Sequence, residues 1–248
     1  MNALSLFSGI AGLDLAIAPI ATCKLYCESH PFCQEVLRKR MQTGDLEKAP
    51  IHEDIRTLDR AAIRRYIGNQ RIDICTAGFP FEYPLHSCLQ TLHVSYLPIV
   101  IQPNNVYKVA VLWAGSLPIP LALYLCIVVC CDAGQDISTA GNGRGLAGER
   151  SGLFFEVIRL VTRELPRPPT WLFLENVANI RKNGLAEVLR ALASAGYDAR
   201  WCTVSAASIG AHHTRRRWFC LARLRQAPDV AHAKGIQTPL VLLVLLLR

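Results

Sequence analysis

No basic n-region opens this chain: Met1 to Ala16 carries no lysine or arginine and does carry Asp14, so no secretory leader is expected there. The ten cysteines lack the even spacing of a disulfide framework. A chain of 248 residues does not need one, and free thiols in a reducing cytosol are expected. No internal repeat is present. Cys23, Cys27, His30 and Cys33 crowd together, but not at zinc-knuckle spacings and with no second pair following, so no metal is expected. Cys23 and Cys27 fall instead on an apolar, strand-like run where small buried thiols are common. Charge is missing altogether from Val109 to Cys131, a run long enough to span a bilayer. Pro118 and Pro120 sit in its middle, and a span there would fall inside a sheet topology. The expectation is an inserted segment, with no membrane as partner. The closing run Pro239–Leu247 is also uncharged, but it is far shorter than the roughly 20 residues a span needs. It reads as an aberrant apolar tail (226–248) and, exposed, as an aggregation hazard.

What is present is an ordinary globular composition, half hydrophobic and 19% charged, with a formal charge of +8. The length accommodates one α/β domain with a sizeable core. The basic balance favours a polyanionic partner such as nucleic acid, though many basic proteins bind none.

Apolar runs alternate with helical periodicity. Leu4 to Phe7 reads as a short buried strand, followed by a glycine-containing turn and an apolar helix from about Ala11. Lys24 to Cys27 reads as a second strand ending at Glu28, and Pro31 suits the first turn of a helix reaching about Met41. Ile51 to Ile55 is a weak third strand around Asp54, and a helix of mixed charge follows to about Ile67. Ile72 to Ala77 is a fourth strand, ended by Gly78 and Pro80. Gly152 to Glu164 is an amphipathic helix with Leu153, Val157, Leu160 and Val161 on one face. Trp171 to Leu174 is a strand, Leu185 to Ala195 a helix closed by Gly196, and Trp201 to Ser205 and Trp218 to Ala222 are strands. The alternation predicts an α/β fold: a mostly parallel sheet with helices on both faces.

Phe7-Ser8-Gly9-Ile10-Ala11-Gly12 forms a turn that lets a ligand approach the backbone and presents helix N-terminal amides, although glycine turns after strands are common. Glu28, ending the second strand, is placed to accept from both hydroxyls of a ribose. Asp54, after the third, could hold an adenine amino group. Either carboxylate alone is more often solvated or capping; together with the turn, at successive strand ends, they fit a nucleoside-containing cofactor. Glu175 follows a buried strand, at the sheet edge where ligands bind in open α/β folds. Partial burial there would raise its pKa and let it donate a proton. The other reading is a helix-capping Glu-Asn turn. Arg215-Arg216-Arg217 is either a solvated face or a grip on phosphate or a polar base edge.

In this order the motifs resemble those of the DNA cytosine-5 methyltransferase family of bacterial and phage type. LFSGIAGLDLA resembles its first motif, Glu28 and Asp54 its second and third, and TAGFP the first half of its fourth. LENVANI resembles the Glu-Asn-Val motif, and His213-Thr214-Arg215-Arg216-Arg217 the Gln-x-Arg-x-Arg motif with His for Gln. GNGRGLAGERSGLFFE is similar to the segment after the nucleophile in phage members. The match covers about 3–80 and 135–223, so the expected domain is discontinuous, 1–80 with 135–225, around an insertion at 81–134.

The resemblance implies a Rossmann-like S-adenosylmethionine-dependent methyltransferase fold and methylation of carbon 5 of cytosine in double-stranded DNA, the chemistry of restriction-modification enzymes. A cysteine thiolate adds to carbon 6 of a flipped-out cytosine, and carbon 5 then takes the methyl group. By resemblance, Glu175 contacts the base while Arg215 and Arg217 position it. Phe7, Gly9, Gly12, Glu28, Asp54 and Pro80 line the cofactor pocket, and a cytoplasmic monomer is expected. The departure is at the nucleophile. The family has Pro-Cys-Gln; here Phe81 follows Pro80, and the expected Gln matches Gln135. Cys131 is the nearest thiol before Gln135, and Cys88, two residues before Gln90, is another candidate. The region past the arginines also lacks the family's target-recognition segment. Two other expectations therefore stand beside the enzyme: a cofactor- or DNA-binding pseudoenzyme without methyl transfer, and a protein attached to a membrane through Val109–Cys131.

Overall fold

Strands buried on both faces read as near-continuous apolar runs, and three here do so: β1 (Asn2–Leu6), β4 (Ile74–Ala77) and β5 (Trp171–Val177). The computed structural model describes residues 1–80, 152–210 and 212–225. Outside the described residues lie Phe81, Cys88, Gln90, Cys131, Gln135, the run 109–131 and the tail 226–248. Among the described residues no helix is long and apolar enough to cross a membrane.

With β2 (Thr22–Cys27), β3 (Ile51–His52), β6 (Tyr197–Ser205) and β7 (Arg216–Leu224), the strands form one seven-stranded sheet in the order β3-β2-β1-β4-β5-β7-β6. The first five pair in parallel; β7 runs antiparallel between β5 and β6. The expected mostly parallel α/β fold is thus present.

Alternation along the strands splits the core into two layers. Leu4, Leu6, Cys75, Ala77, Leu172, Leu174, Trp218 and Cys220 belong to one layer, with residues of α3 (Arg60–Ile67), α4 (Leu153–Arg159) and α6 (Leu185–Ser194). Ala3, Ile74, Phe173 and Phe219 belong to the other, with residues of α1 (Gly12–Ile17) and α2 (Pro31–Thr43). Helices therefore cover both faces. The chain winds outward from β1 through β2 to β3 and then returns to β4 on β1's other side. That reversal opens a crevice at the carboxyl ends of β1 and β4, where ligands bind in such sheets.

Several boundaries differ from expectation. β5 continues to Val177, because its antiparallel ladder with β7 persists through Val177↔Arg217. Glu175 and Asn176 are strand residues, and the helix-capping alternative is set aside. β6 starts four residues early, at Tyr197, for the same reason: it pairs with β7 from Tyr197↔Leu224. The predicted helix 152–164 is α4 followed by a π-helical turn, Leu160–Glu164, closed by the Leu165 N–H donating to the Leu160 carbonyl. A short helix, α5 (Ile180–Asn183), precedes α6.

Candidate active site

Between β1 and α1 the backbone turns through three left-handed residues in five, Phe7 (φ 51°), Gly9 (φ 54°) and Ala11 (φ 69°). For Phe7 and Ala11 this costs about 1–2 kcal/mol each, so the turn must be held. The Ala11 N–H donates to the Ser8 carbonyl at 2.8 Å, and the Ser8 N–H to the Cys27 carbonyl at 3.1 Å. Arg40 donates to the Ile10 carbonyl at 2.9 Å. Glu28 receives the Gly9 N–H on Oε2 at 2.7 Å and the His30 N–H on Oε1 at 2.8 Å. Gln34 donates to the Glu28 carbonyl at 2.7 Å, which ties α2 to the same corner. Each Glu28 oxygen keeps lone-pair capacity for a further donor. Beside Gly9 the space is open: a Cβ built there meets no atom within 4 Å.

The residues expected around a cofactor fall in two groups. Phe7, Gly9, Gly12 and Glu28 gather at the turn, with Gly12 opening α1. The Glu28 N–H donates to the His52 carbonyl at 2.9 Å, so the end of β3 lies beside that of β2. Asp54 follows two residues on. Its carboxylate accepts from the Arg56 side chain and backbone, at 3.0 Å each, and Arg56 holds it below the usual carboxylate range. Pro80 lies past the end of β4 and is half-buried.

Glu175 stands two strands from the turn in sequence logic, yet the fold brings the two together at Gly78. A Cβ added at Gly78 would lie 3.4 Å from Glu175 Oε2 and 3.6 Å from the Phe7 carbonyl oxygen. Glu175 pairs with Arg217 across the β5–β7 ladder, Nε to Oε1 at 2.9 Å, with both side chains nearly buried. Burial pushes the Glu175 carboxyl up to about 7, against the opposing pull of Arg217 and, more weakly, Arg215. The raised carboxyl is the shift expected of partial burial at this strand end. Because the Gly78 contact is of ordinary van der Waals length, Gly78→Ala should fold with its melting temperature nearly unchanged. Its methyl group would fill the space between turn and acid, so ligand affinity should fall; calorimetric titration beside a melting curve checks both.

Two buried polar side chains beside the site carry no individual role in the sequence reading. Asn176 donates Nδ2–H to the Phe79 carbonyl at 2.8 Å and is buried, fastening the end of β4, where the chain leaves toward position 81, to β5. The signal is an amide beside Glu175 at the end of an apolar run. Asp14 is buried beneath the turn, bonded to Ser5 and Thr76. Its signal was an acid in an apolar helix.

No activated thiol appears among the described residues whose thiol environment is resolved. Burial raises the thiols of Cys23, Cys27, Cys75, Cys202 and Cys220 above the ordinary cysteine range, and a protonated thiol is a poor nucleophile. Cys131 lies outside the described residues.

Residues 129–238 match the family model of the C-5 cytosine-specific DNA methylases. Among curated proteins the chain is similar to the type II methyltransferase M.CviJI of Paramecium bursaria Chlorella virus IL3A, 40% identical over 34% of this chain and 23% of that protein. It is also similar to the type II methyltransferase M2.BsuMI of Bacillus subtilis, 26% identical over 96% of this chain and 46% of that protein. The chain thus spans under half the length of these relatives. In fold it resembles a DNA modification methyltransferase encoded within an Escherichia coli prophage, with TM-score 0.56, 19% identity, and coverage of 91% of this chain and 47% of that one. It likewise resembles the S. pombe Dnmt2 methyltransferase, with TM-score 0.52, 18% identity, and coverage of 92% and 52%. With the motifs in family order on this sheet, the chain resembles the C-5 cytosine-specific DNA methylases, and residues 129–238 carry the match to their family model.

Proposed function

We propose that this domain is built to transfer a methyl group from S-adenosylmethionine to carbon 5 of cytosine in double-stranded DNA. The observation that carries the reading is the buried Glu175–Arg217 pair one residue's width from the Phe7 turn. The donor set suits the cofactor: an amide-tethered carboxylate at the end of β2, a second carboxylate after β3, and an open glycine turn between β1 and α1. Glu28 would take the ribose hydroxyls, Asp54 the adenine amino group, and Phe7, Gly9, Gly12 and Pro80 the remaining walls. When bound, S-adenosylmethionine supplies the methyl group. Glu175, its carboxyl pushed up to about 7 by burial, would hold a proton for ring nitrogen 3 of the base. Arg217 fixes that carboxyl in place, and Arg215 adds positive potential beside it.

DNA is the partner that the surface favours. Arg181, Lys182 and Arg216 are exposed near the carboxyl edge, and residues 176–186 and 205–217 contain no acid. A cytoplasmic monomer acting without a membrane agrees with this reading. A second reading, a cofactor- or DNA-binding pseudoenzyme, is favoured by Phe81 at the nucleophile position and by the raised thiols of the sheet.

Calorimetric titration of the full chain with S-adenosylmethionine tests the cofactor reading. Micromolar binding is expected. Glu28→Gln should weaken it by about tenfold or more, the usual loss for one hydrogen bond to a charged group. Folded protein that binds nothing, or binding indifferent to Glu28→Gln, would overturn the reading.

A further inference from the structure

Beneath the turn lies a buried chain of hydroxyls that ends on a carboxylate. Ser5 of β1 and Thr76 of β4 share the sheet face that α1 covers. Thr76 Oγ1 donates to Asp14 Oδ1 at 3.1 Å, and Ser5 Oγ donates to Asp14 Oδ2 at 2.8 Å. Ser5 Oγ also lies 2.9 Å from Ser8 Oγ, which in turn is 3.2 Å from the Ser5 carbonyl oxygen and 3.3 Å from the Cys27 carbonyl oxygen. Four elements, β1, β2, β4 and α1, therefore meet through three hydroxyls and one acid, and Ser8 belongs to the left-handed turn itself. All four side chains are buried.

A hydroxyl carries one proton, so this chain has a direction. With Asp14 ionised, Ser5 must donate to the carboxylate, and Ser8 can then donate to Ser5. With Asp14 protonated on Oδ2, the acid donates to Ser5, Ser5 donates to Ser8, and Ser8 turns its own proton to the Ser5 or Cys27 carbonyl. In the first state Ser5 makes a charge-assisted bond to α1, and the Ser8 hydroxyl points to Ser5. In the second, every bond is neutral, and the Ser8 hydroxyl turns to a backbone carbonyl of β1 or β2. Charge-assisted bonds are the shorter and stronger kind.

We propose that Asp14 is the positioning residue of the turn: its carboxylate sets the direction of the hydroxyl chain through Ser5 and Ser8, and with it the shape in which residues 7–11 receive the nucleoside cofactor. This rests on the cofactor reading given above. The ionised form is the binding form.

Burial raises the Asp14 carboxyl to about 6, with Ser5 and Thr76 opposing the shift. Cys23 and Tyr26 of β2 and Cys75 of β4 face Asp14. Burial raises each of these, so none of them ionises between pH 5 and 8. On α1 itself Asp14 is the only charged residue.

The test is the affinity of the full chain for S-adenosylhomocysteine between pH 5 and 8. It should fall about fivefold toward acid, with a midpoint near pH 6; that ratio is about what one charge-assisted bond turned neutral produces. Asp14→Asn, which keeps the shape and cannot titrate, should flatten the profile at the acid value. Ser8→Ala should flatten it too, and the double variant should match either single one. A purely structural role would instead lower the melting temperature and the affinity at every pH, leaving the profile's shape. Asp14→Asn is expected to melt no lower than the parent at pH 7.5, since it removes a buried charge. A profile that survives Asp14→Asn, or single effects that multiply in the double variant, would overturn the proposal.

A second readout needs no ligand. Hydrogen-exchange protection of the Ser8 and Gly9 amides, corrected for intrinsic rates, should step near pH 6 in the parent and not in Asp14→Asn. If the parent bound no ligand at any pH while the step remained, the cofactor reading would fail and the positioning role would stand. Absence of the step overturns the positioning role itself.

Discussion

Glu175→Met should destabilise the fold by about 3–5 kcal/mol, the usual cost of stranding one member of a buried ion pair, whereas Arg217→Met should cost clearly less. The asymmetry follows from which charge can be shed. Arg217 is buried, and a guanidinium does not deprotonate in a protein, so without Glu175 its charge loses a carboxylate partner at 2.9 Å, while the Arg216 carbonyl still accepts from it. Glu175, pushed to about 7 by burial, needs only a proton to become neutral once Arg217 is gone. The double variant Glu175→Met/Arg217→Met should recover most of the loss, because two apolar side chains of similar size can replace a buried pair without penalty. Urea denaturation of the four chains checks the ordering. Equal losses for the two single variants would mean that Arg217 is held by groups other than Glu175.

The same shift gives a pH signature. Glu175 has its folded-state pKa raised from 4.5 to about 7, so its stabilisation is complete below the lower value and is lost as pH rises through the upper one. Asp14, raised from 3.8 to about 6, acts in the same direction over a slightly lower window. Each is worth on the order of 3 kcal/mol across its window. The contribution of Glu175 to the slope between pH 5 and 8 should vanish in Glu175→Met.

The sheet was legible from its apolar runs because buried strands leave no other pattern, and the glycine turn was legible from its residue types. The direction of β7 was not. Alternation of side chains is the same for a strand read either way, and only the short β6–β7 connection, through a 3-10 turn at Ala206–Ile209, makes the pair antiparallel. Glu175 and Arg217 were each legible as site residues, but their pairing depends on the register that sets Val177 opposite Arg217. Phe7 and Ala11 are left-handed without being glycine, and no local preference announces that; the hydrogen bonds that Glu28 and Cys27 accept from the turn, and that Arg40 donates to it, impose it. Asn176 and Asp14 escaped notice for a related reason. Their partners, the Phe79 carbonyl and the hydroxyls of Ser5 and Thr76, lie across strands or far along the chain.

Joining residue 81 directly to Gln135, with Phe81→Cys, is expected to raise methyl transfer to cytosine in DNA by at least about a hundredfold over the parent chain, the penalty for a nucleophile misplaced by about 1 Å. The fold supplies the anchor on the amino side, where Asn176 holds the Phe79 carbonyl beside Glu175. It supplies an anchor on the other side as well: the rings of Phe79 and Phe154 pack with centroids 4.9 Å apart, so the described residues that flank 81–151 are neighbours. Residue 81 and the segment 135–151 reach across such a gap with ease at roughly 3.3 Å per residue. The loop becomes about fourfold shorter, and closing it becomes easier by about 1 kcal/mol. The joined chain should therefore melt no lower than the parent and bind S-adenosylmethionine at least as well. The same junction with Phe81→Ser should fold and bind alike while transferring no methyl group, which separates the thiol from the shortening. A joined chain that fails to fold would place the junction wrongly. One that folds and binds the cofactor but methylates nothing would mean that the arginine edge cannot present DNA without the region that follows it in the longer relatives.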